Sequence, residues 1–285
     1  MILVTGATGG VGRQLVNMLV DAELPVRALS RNPAAANLPS AVEVYMGSLD
    51  ESDELDAAFV GVERVFSLTA GSNLPRHADN LVTLGQRHGV RHVVLMSSLA
   101  VELPIESTLK TFHEAAELRY MEAGFAWTML RGGVFNTNSF AWVPSILAER
   151  RVRNFLRNDP YACIDTQDVA AVAAKILMSD GHFGKIYGLT GPERITPEDQ
   201  VAILAEALGE PIDFIQLSEA EALDYFTSYV FPHLHGGGSS AKALLDLLRR
   251  TDLPWLEVRP DVELILGRKG RTYRDWAVQN IANFR

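Results

Sequence analysis

The chain has 285 residues, 47% of them apolar and 21% charged, with a formal net charge of −9. That length suits one large domain, or one domain with an appendage, and can bury a sizeable core without staples. The negative balance argues against nucleic acid or an anionic membrane as the main partner. The single cysteine, Cys163, excludes an intrachain disulfide and weakens the case for an oxidising compartment. No uncharged apolar run reaches the roughly 18 residues that a membrane span needs. The first residues show no signal-peptide pattern. The expectation is a cytoplasmic protein with no membrane, nucleic-acid or metal partner.

In chain order, short β-rich runs alternate with amphipathic stretches. Residues 1–5 read as a buried strand, and 11–21 as a helix with Val11, Leu15, Met18 and Leu19 on one face. Strands follow at 26–29 and 42–46, then a helix at 52–59 and a strand at 65–68. A helix at 76–88, a strand at 92–96, a helix at 109–123 and a strand at 126–130 continue the pattern. Near-continuous apolar strands separated by helices indicate a parallel sheet covered on both faces. After Arg131 the rhythm changes. Residues 138–150 read as helical, and 151–155 and 161–164 as small strands. A further helix–strand unit spans 165–179 and 185–189. Helices are expected at 197–208, 218–231, 242–250 and 272–284. Residues 232–240, with Gly236, Gly237 and Gly238, read as a flexible loop.

The strongest motif is Thr5-Gly6-Ala7-Thr8-Gly9-Gly10-Val11-Gly12, which sets Gly6, Gly9 and Gly12 in G-x-x-G-x-x-G spacing between a strand and a helix. One glycine permits the tight turn, one lets backbone reach a pyrophosphate, and one lets helix and strand approach closely. The helix start then offers free N–H groups and partial positive charge to phosphate. Gly6, Thr8, Gly9, Gly10, Val11 and Gly12 are therefore candidate cofactor-binding residues. The expected architecture is α/β: a doubly wound parallel-sheet Rossmann fold over residues 1–131. Residues 132–285 supply the rest of that core (about 160–190) and a smaller, mostly helical C-terminal cap on the substrate side.

The end of the second strand decides between dinucleotides. An NAD-specific fold places Asp or Glu there for the ribose hydroxyl. This chain has Arg27-Ala28-Leu29-Ser30-Arg31-Asn32, with no carboxylate. Arg31 offers a planar, permanently charged fork suited to a 2′-phosphate. Arg13, just past the last glycine, is a second candidate. NADP(H) is expected in preference to NAD(H).

T-G-A-T-G-x-x-G at the N-terminus resembles the extended and atypical short-chain dehydrogenase/reductases, and more narrowly the NmrA-like proteins and related NADPH-dependent quinone reductases. Other segments carry the resemblance in order: Ser30-Arg31-Asn32-Pro33, Gly47-Ser48-Leu49-Asp50, Ser97-Ser98, Arg131-Gly132-Gly133-Val134-Phe135-Asn136, Ile164 to Ala170, and Gly270 to Trp276. The resemblance implies adenine contacts at Ser48 and Leu49, where relatives commonly carry Asp. It adds Thr69, Ala70, Ser97, His113, Gly133 and Phe135 to the cofactor side. Phe135, Asn136, Phe140 and Trp142 become candidates for the substrate side, with the three aromatics open to a reading as ordinary core.

Reductases of this superfamily use a Tyr proton donor and a Lys four residues later. Alignment through Glu117 puts Leu109 at the Tyr position and His113 at the Lys position, so no catalytic residue is certain and His113 is the one candidate. It could contact the cofactor or donate a proton. Asp168 reads as a helix-start residue, His233 and His235 as solvated loop, and Cys163 as an inert core thiol. The implied activity is direct hydride transfer to a quinone-like or other conjugated small acceptor. The alternatives are a redox sensor that regulates a protein partner, and an isomerase or lyase using the dinucleotide transiently.

Overall fold

Seven parallel strands form the main sheet of the computed structural model, which describes residues 1–69, 71–230 and 241–285. In chain order the strands are β1 (Ile2–Val4), β2 (Val26–Ser30), β3 (Glu43–Met46), β4 (Arg64–Ser67), β5 (His92–Ser98) and β6 (Ala126–Gly132). After β7 (Arg151–Asn154), which lies elsewhere, β8 (Lys185–Leu189) completes the sheet in the order β3-β2-β1-β4-β5-β6-β8. The order reverses between β1 and β4, the switch point at which doubly wound sheets bind ligands beyond their strand C-termini. β1 is buried throughout and β5 nearly so, as a sheet covered on both faces requires.

Two layers of helices flank this sheet. α1 (Gly10–Asp21) lies against α6 (Thr166–Met178). α2 (Asp56–Phe59), α3 (Leu74–His88) and α4 (Thr108–Met121) enclose a core that holds Leu3, Phe59, Leu81, Tyr120 and Met129. These elements form one compact unit comprising Met1–Gly132, Thr166–Leu189 and Asp261–Arg268. Its last piece is the short helix α10 (Asp261–Leu266), whose Asp261 carboxylate accepts the Gly188 N–H at 2.9 Å.

The second unit is Gly133–Asp165, Thr190–Pro260 and Lys269–Arg285. It holds α5 (Val143–Glu149), α7 (Pro197–Leu208), α8 (Glu219–Tyr225), α9 (Ala241–Leu248) and α11 (Tyr273–Asn280). Its β7 pairs in parallel with β9 (Asp213–Gln216). Its core gathers Ile146, Val152, Leu204, Tyr273, Trp276 and Phe284. α7 starts where the sequence expects, because Thr196 and Asp199 form a capping box ahead of Pro197.

Several elements differ from the sequence expectation. Residues 161–164 make only isolated bridges, Tyr161 to Ile195 and Ile164 to Phe135. The expected helix at 138–150 divides into a 3-10 stretch, Asn136–Trp142, and α5, which Pro144 opens. The expected helix at 218–231 is α-helical only to Tyr225 and runs on as a π-turn over Phe226–Val230. β9 and α10 were not expected. Phe231 and the loop 232–240, with His233 and His235, lie outside the described residues.

Candidate functional site

The turn after β1 shows what its glycines do. Gly6 has a φ of +64°, and a Cβ there would lie 2.6 Å from Leu68 Cδ2. A Cβ on Gly12 would lie 2.2 Å from the Gly6 carbonyl oxygen, so the helix start and the turn touch backbone to backbone. Gly9 and Gly10 differ: Gly9 would meet only the Gly6 oxygen at 3.4 Å and Gly10 only the Thr166 methyl at 3.9 Å. With Thr8 they are exposed. Gly9 caps α1 without a side-chain hydrogen bond, and the first turn holds no acid. This is an open cradle of backbone N–H groups at a helix N-terminus, and it fits a pyrophosphate. Val11 is buried beneath it. Thr5 ties the turn to β4: its hydroxyl donates to Leu68 O at 3.1 Å and accepts from Leu68 N at 2.8 Å. The sequence reading gave Thr5 no role, because its partner lies 63 residues away.

Past β2, Arg31 is exposed, and no hydrogen bond or ion pair engages its guanidinium among the described residues. Ser30 Oγ accepts the Asn32 N–H at 3.2 Å. Arg13 is engaged instead, donating to the carbonyls of Ala36 at 2.9 Å and Asn37 at 2.5 Å. Past β3, Ser48 donates to Asp50 at 3.0 Å, and the buried Leu49 gives its carbonyl to Asn80 at 2.6 Å. Asp50, which the sequence reading did not assign, also gathers Asn73, Arg76 and His77 from the start of α3. The hydrogen bond with His77, then that with Ser48, holds its carboxyl below the usual range. Past β4, Thr69 is half-buried, and Ala70 lies outside the described residues.

Past β5 both serines are occupied. Ser97 donates to Glu117 at 2.5 Å, and Ser98 accepts the Ala100 N–H at 3.1 Å. Glu117, 2% exposed, also takes both arms of Arg131, at 3.0 and 2.7 Å. Arg131 reaches Glu102 as well, at 3.3 Å. His113 lies one turn before Glu117 on α4. Burial pushes its pKa down to about 4 against the pull of Glu117, so the imidazole is neutral at pH 7, and its buried Nδ1 has no partner among the described residues. Leu109 sits one turn earlier. Tyr120 is buried with its hydroxyl 2.9 Å from Ser67 Oγ, and burial raises its pKa.

In the second unit, Asn136 is 1% exposed, and neither its carboxamide oxygen nor its nitrogen has a partner among the described residues. Its backbone N–H donates to Ile164 O at 2.9 Å. Gly133 and Phe135 are half-buried just before it. Phe140 lies in an aromatic cluster, 5.2 Å from Trp276 and 5.9 Å from Phe284 between ring centres, and Trp142 packs against the same core. For these two, the reading as ordinary core has the stronger geometry. Burial pushes the Cys163 thiol up to about 12. Asp168 pairs with Arg268 at 2.9 Å. No group of three or more metal-ligating side chains occurs among the described residues. None of their helices is long and apolar enough to cross a membrane.

A parallel doubly wound sheet with a glycine cradle at its switch point defines a dinucleotide-binding protein. The chain belongs to the NAD(P)H-binding family, whose model matches residues 6–180. Over 289 aligned residues it is 36% identical to (4-alkanoyl-5-oxo-2,5-dihydrofuran-3-yl)methyl phosphate reductase of Streptomyces griseus, covering 100% of this chain and 99% of the relative. It is 29% identical to NAD(P)H azoreductase of Xenophilus azovorans with the same coverage. Among solved structures, it matches an NADPH-dependent quinone oxidoreductase from Escherichia coli with a TM-score of 0.78 and 25% identity, over 98% of this chain and 99% of that one. The chain is an NAD(P)H-dependent oxidoreductase.

Proposed function

We propose that this oxidoreductase takes NADPH in preference to NADH and reduces a flat, conjugated acceptor such as a quinone or an unsaturated carbonyl. One observation carries the acceptor class: the family's proton-donor pair is missing, with Leu109 at the Tyr position and His113 at the Lys position of α4. Leu109 has no proton to give, His113 is neutral, Tyr120 is locked in the core, and the Ser97 hydroxyl donates to Glu117. A quinone or an enone accepts hydride to give a delocalised anion that water can protonate. A simple ketone gives an alkoxide that needs a positioned acid, a contribution of roughly 10²–10⁴-fold. The relatives fit that chemistry: one is named for quinones, and the substrate name of another describes a ring alkene conjugated to carbonyl groups.

When bound, the dinucleotide supplies the hydride. The chain's residues bind and orient it. Gly6, Thr8, Gly9, Gly10, Val11 and Gly12 form the pyrophosphate cradle, Arg31 takes the 2′-phosphate, and Ser48, Leu49 and Thr69 border the adenosine. His113 positions the nicotinamide side as a neutral hydrogen-bonding group, and Ser97 acts indirectly by fixing Glu117 on the same helix. For Asn136, in the second unit, we propose a ligand-contacting role, because its buried carboxamide has no partner among the described residues. Stopped-flow oxidation of NADPH across quinones, enones, aldehydes and ketones tests this reading. Quinones and enones should turn over while unactivated ketones stay nearly inert. Brisk reduction of a plain ketone would overturn it.

A further inference from the structure

We infer that Arg13 is a positioning residue for dinucleotide preference: it acts on the 2′-phosphate through the loop that carries Arg31 and does not bind that phosphate itself. The inference rests on the proposed role of Arg31.

Arg13 lies in the first turn of α1, where a free arginine would be a natural phosphate ligand. Its guanidinium is committed elsewhere. One arm donates to Ala36 O at 2.9 Å and the other to Asn37 O at 2.5 Å. Both carbonyls belong to the connection that follows Arg31, and Ala36 is 2% exposed. This connection has little else to hold it. A single 3-10 turn, Pro33–Ala35, is closed by Ala36 N to Pro33 O at 3.1 Å and Ala35 N to Asn32 O at 3.2 Å. Asn37 then sits at a φ of +47°, in the left-handed region that asparagine tolerates better than most residues. The Asn37 carbonyl meets Arg13 of α1, its one donor among the described residues. Arg13 thus closes the far end of the loop, and Ser30 closes the near end by accepting the Asn32 N–H.

Arg31 stands between these two closures, exposed and without a partner among the described residues. A guanidinium that must meet a phosphate from a loose loop gives up binding energy to order that loop, whereas one on a loop already fixed does not. Two neutral carbonyls facing one cation also partly offset the Arg13 charge. Arg31 is left at the end of β2 as a cation with no counter-charge among the described residues.

Two measurements test the inference. The first needs no cofactor: amide hydrogen exchange of residues 31–37 in the wild type and in Arg13→Met. Exchange in this segment should rise about tenfold or more, the scale of one lost charge-assisted hydrogen bond, while the β5 amides stay protected. Unchanged exchange in 31–37 would overturn the loop-holding role whatever Arg31 does. The second is a cycle of Arg13→Met, Arg31→Ala and the double variant, read as Kd for NADPH and NADH by fluorescence titration. Arg13→Met should cut the NADPH-over-NADH preference about fivefold to tenfold and lose that effect once Arg31 is alanine. Effects that multiply would mean that Arg13 binds the phosphate directly, which overturns the inference and leaves the role of Arg31 intact. An unchanged preference in Arg31→Ala alone would remove the premise and the inference with it. Arg13→Lys, which keeps the charge and can still donate to a carbonyl, should restore most of the loop protection.

Discussion

The two ends of the main sheet treat polar groups in opposite ways. At the N-terminal ends of the strands, charged and polar side chains close loops on neighbouring backbone. Arg64 at the start of β4 donates to Leu177 O at 2.8 Å and Ser179 O at 3.1 Å, and pairs with Asp180 at 2.9 Å. His92 at the start of β5 has its Nε2 2.8 Å from Thr128 Oγ1, which in turn donates to His182 O at 2.7 Å. At the C-terminal ends the glycine cradle is open, α1 starts without a side-chain cap, and Arg31 has no partner among the described residues. Partners used up within the chain serve stability, whereas donors left open serve a ligand. The buried exception at the C-terminal end is the group of Ser97, Glu117 and Arg131, as fully paired as anything at the other end, while Arg13 and Asp50 are engaged nearer the surface.

That exception gives the largest expected effect. Arg131→Met leaves Glu117 charged, buried and uncompensated, which costs about 3–5 kcal/mol of unfolding free energy. Arg64→Met should cost nearer 1 kcal/mol, because its carboxylate partner Asp180 is 79% exposed. Urea melts of both variants check the contrast. If Arg64→Met costs as much as Arg131→Met, the buried pair is not the special element of the sheet.

Next come the glycines, which separate folding from binding within one turn. Gly12→Ala forces a Cβ against the Gly6 carbonyl and should lose about 3 kcal/mol of stability together with dinucleotide binding. Gly9→Val has room in the folded chain, so the melting temperature should hold while NADPH binding disappears. A Gly9→Val protein that still binds NADPH at wild-type affinity would move the pyrophosphate elsewhere. The third effect is narrower. Arg31→Ala should weaken NADPH by about 1.5–3 kcal/mol and leave NADH nearly unchanged. Equal losses for both cofactors would mean that Arg31 serves the fold and not the phosphate.

How much of this was legible in the sequence depended on distance along the chain. Strand–helix alternation and the glycine turn are local patterns, so the parallel sheet and its cofactor end could be read directly. β9 could not: Asp213-Phe214-Ile215-Gln216 is four residues with polar ends, and it becomes a strand only because β7 lies beside it. Arg13 was read as a spare phosphate ligand because the carbonyls it holds lie 23 and 24 residues away. Glu117 was visible only as an alignment anchor, since its partners Ser97 and Arg131 come from two different strand ends. Asn136 was read from the Gly-Gly-Val-Phe-Asn run, but that its carboxamide has no partner is a fact of packing that no local pattern encodes.

The smallest effect appears only below neutral pH, and it sets one histidine from each end of the sheet against the other. Burial, with Arg64 and His182 nearby, lowers the His92 pKa to about 4, and burial lowers that of His113 to about the same value. The unfolded chain protonates its histidines near pH 6.5. Between pH 6.5 and 4 the unfolded state therefore binds more protons than the folded one, and stability falls as pH drops through that window. Below pH 4 both states are protonated and these two groups add no further slope. His92→Gln and His113→Gln should each flatten part of the decline in urea midpoint between pH 6.5 and 4.5, with no pH-dependent contribution at pH 7.5. The ends then diverge when ligand is added. A histidine that touches the cofactor changes its titration on binding, whereas one sealed behind Thr128 and Phe183 does not. Saturating NADPH should shift the ring-proton NMR titration of His113 and leave that of His92 in place. A His113 resonance that ignores NADPH would return it to the structural class of His92, and the C-terminal end of the sheet would keep only its glycine cradle and Arg31 as open ligand groups.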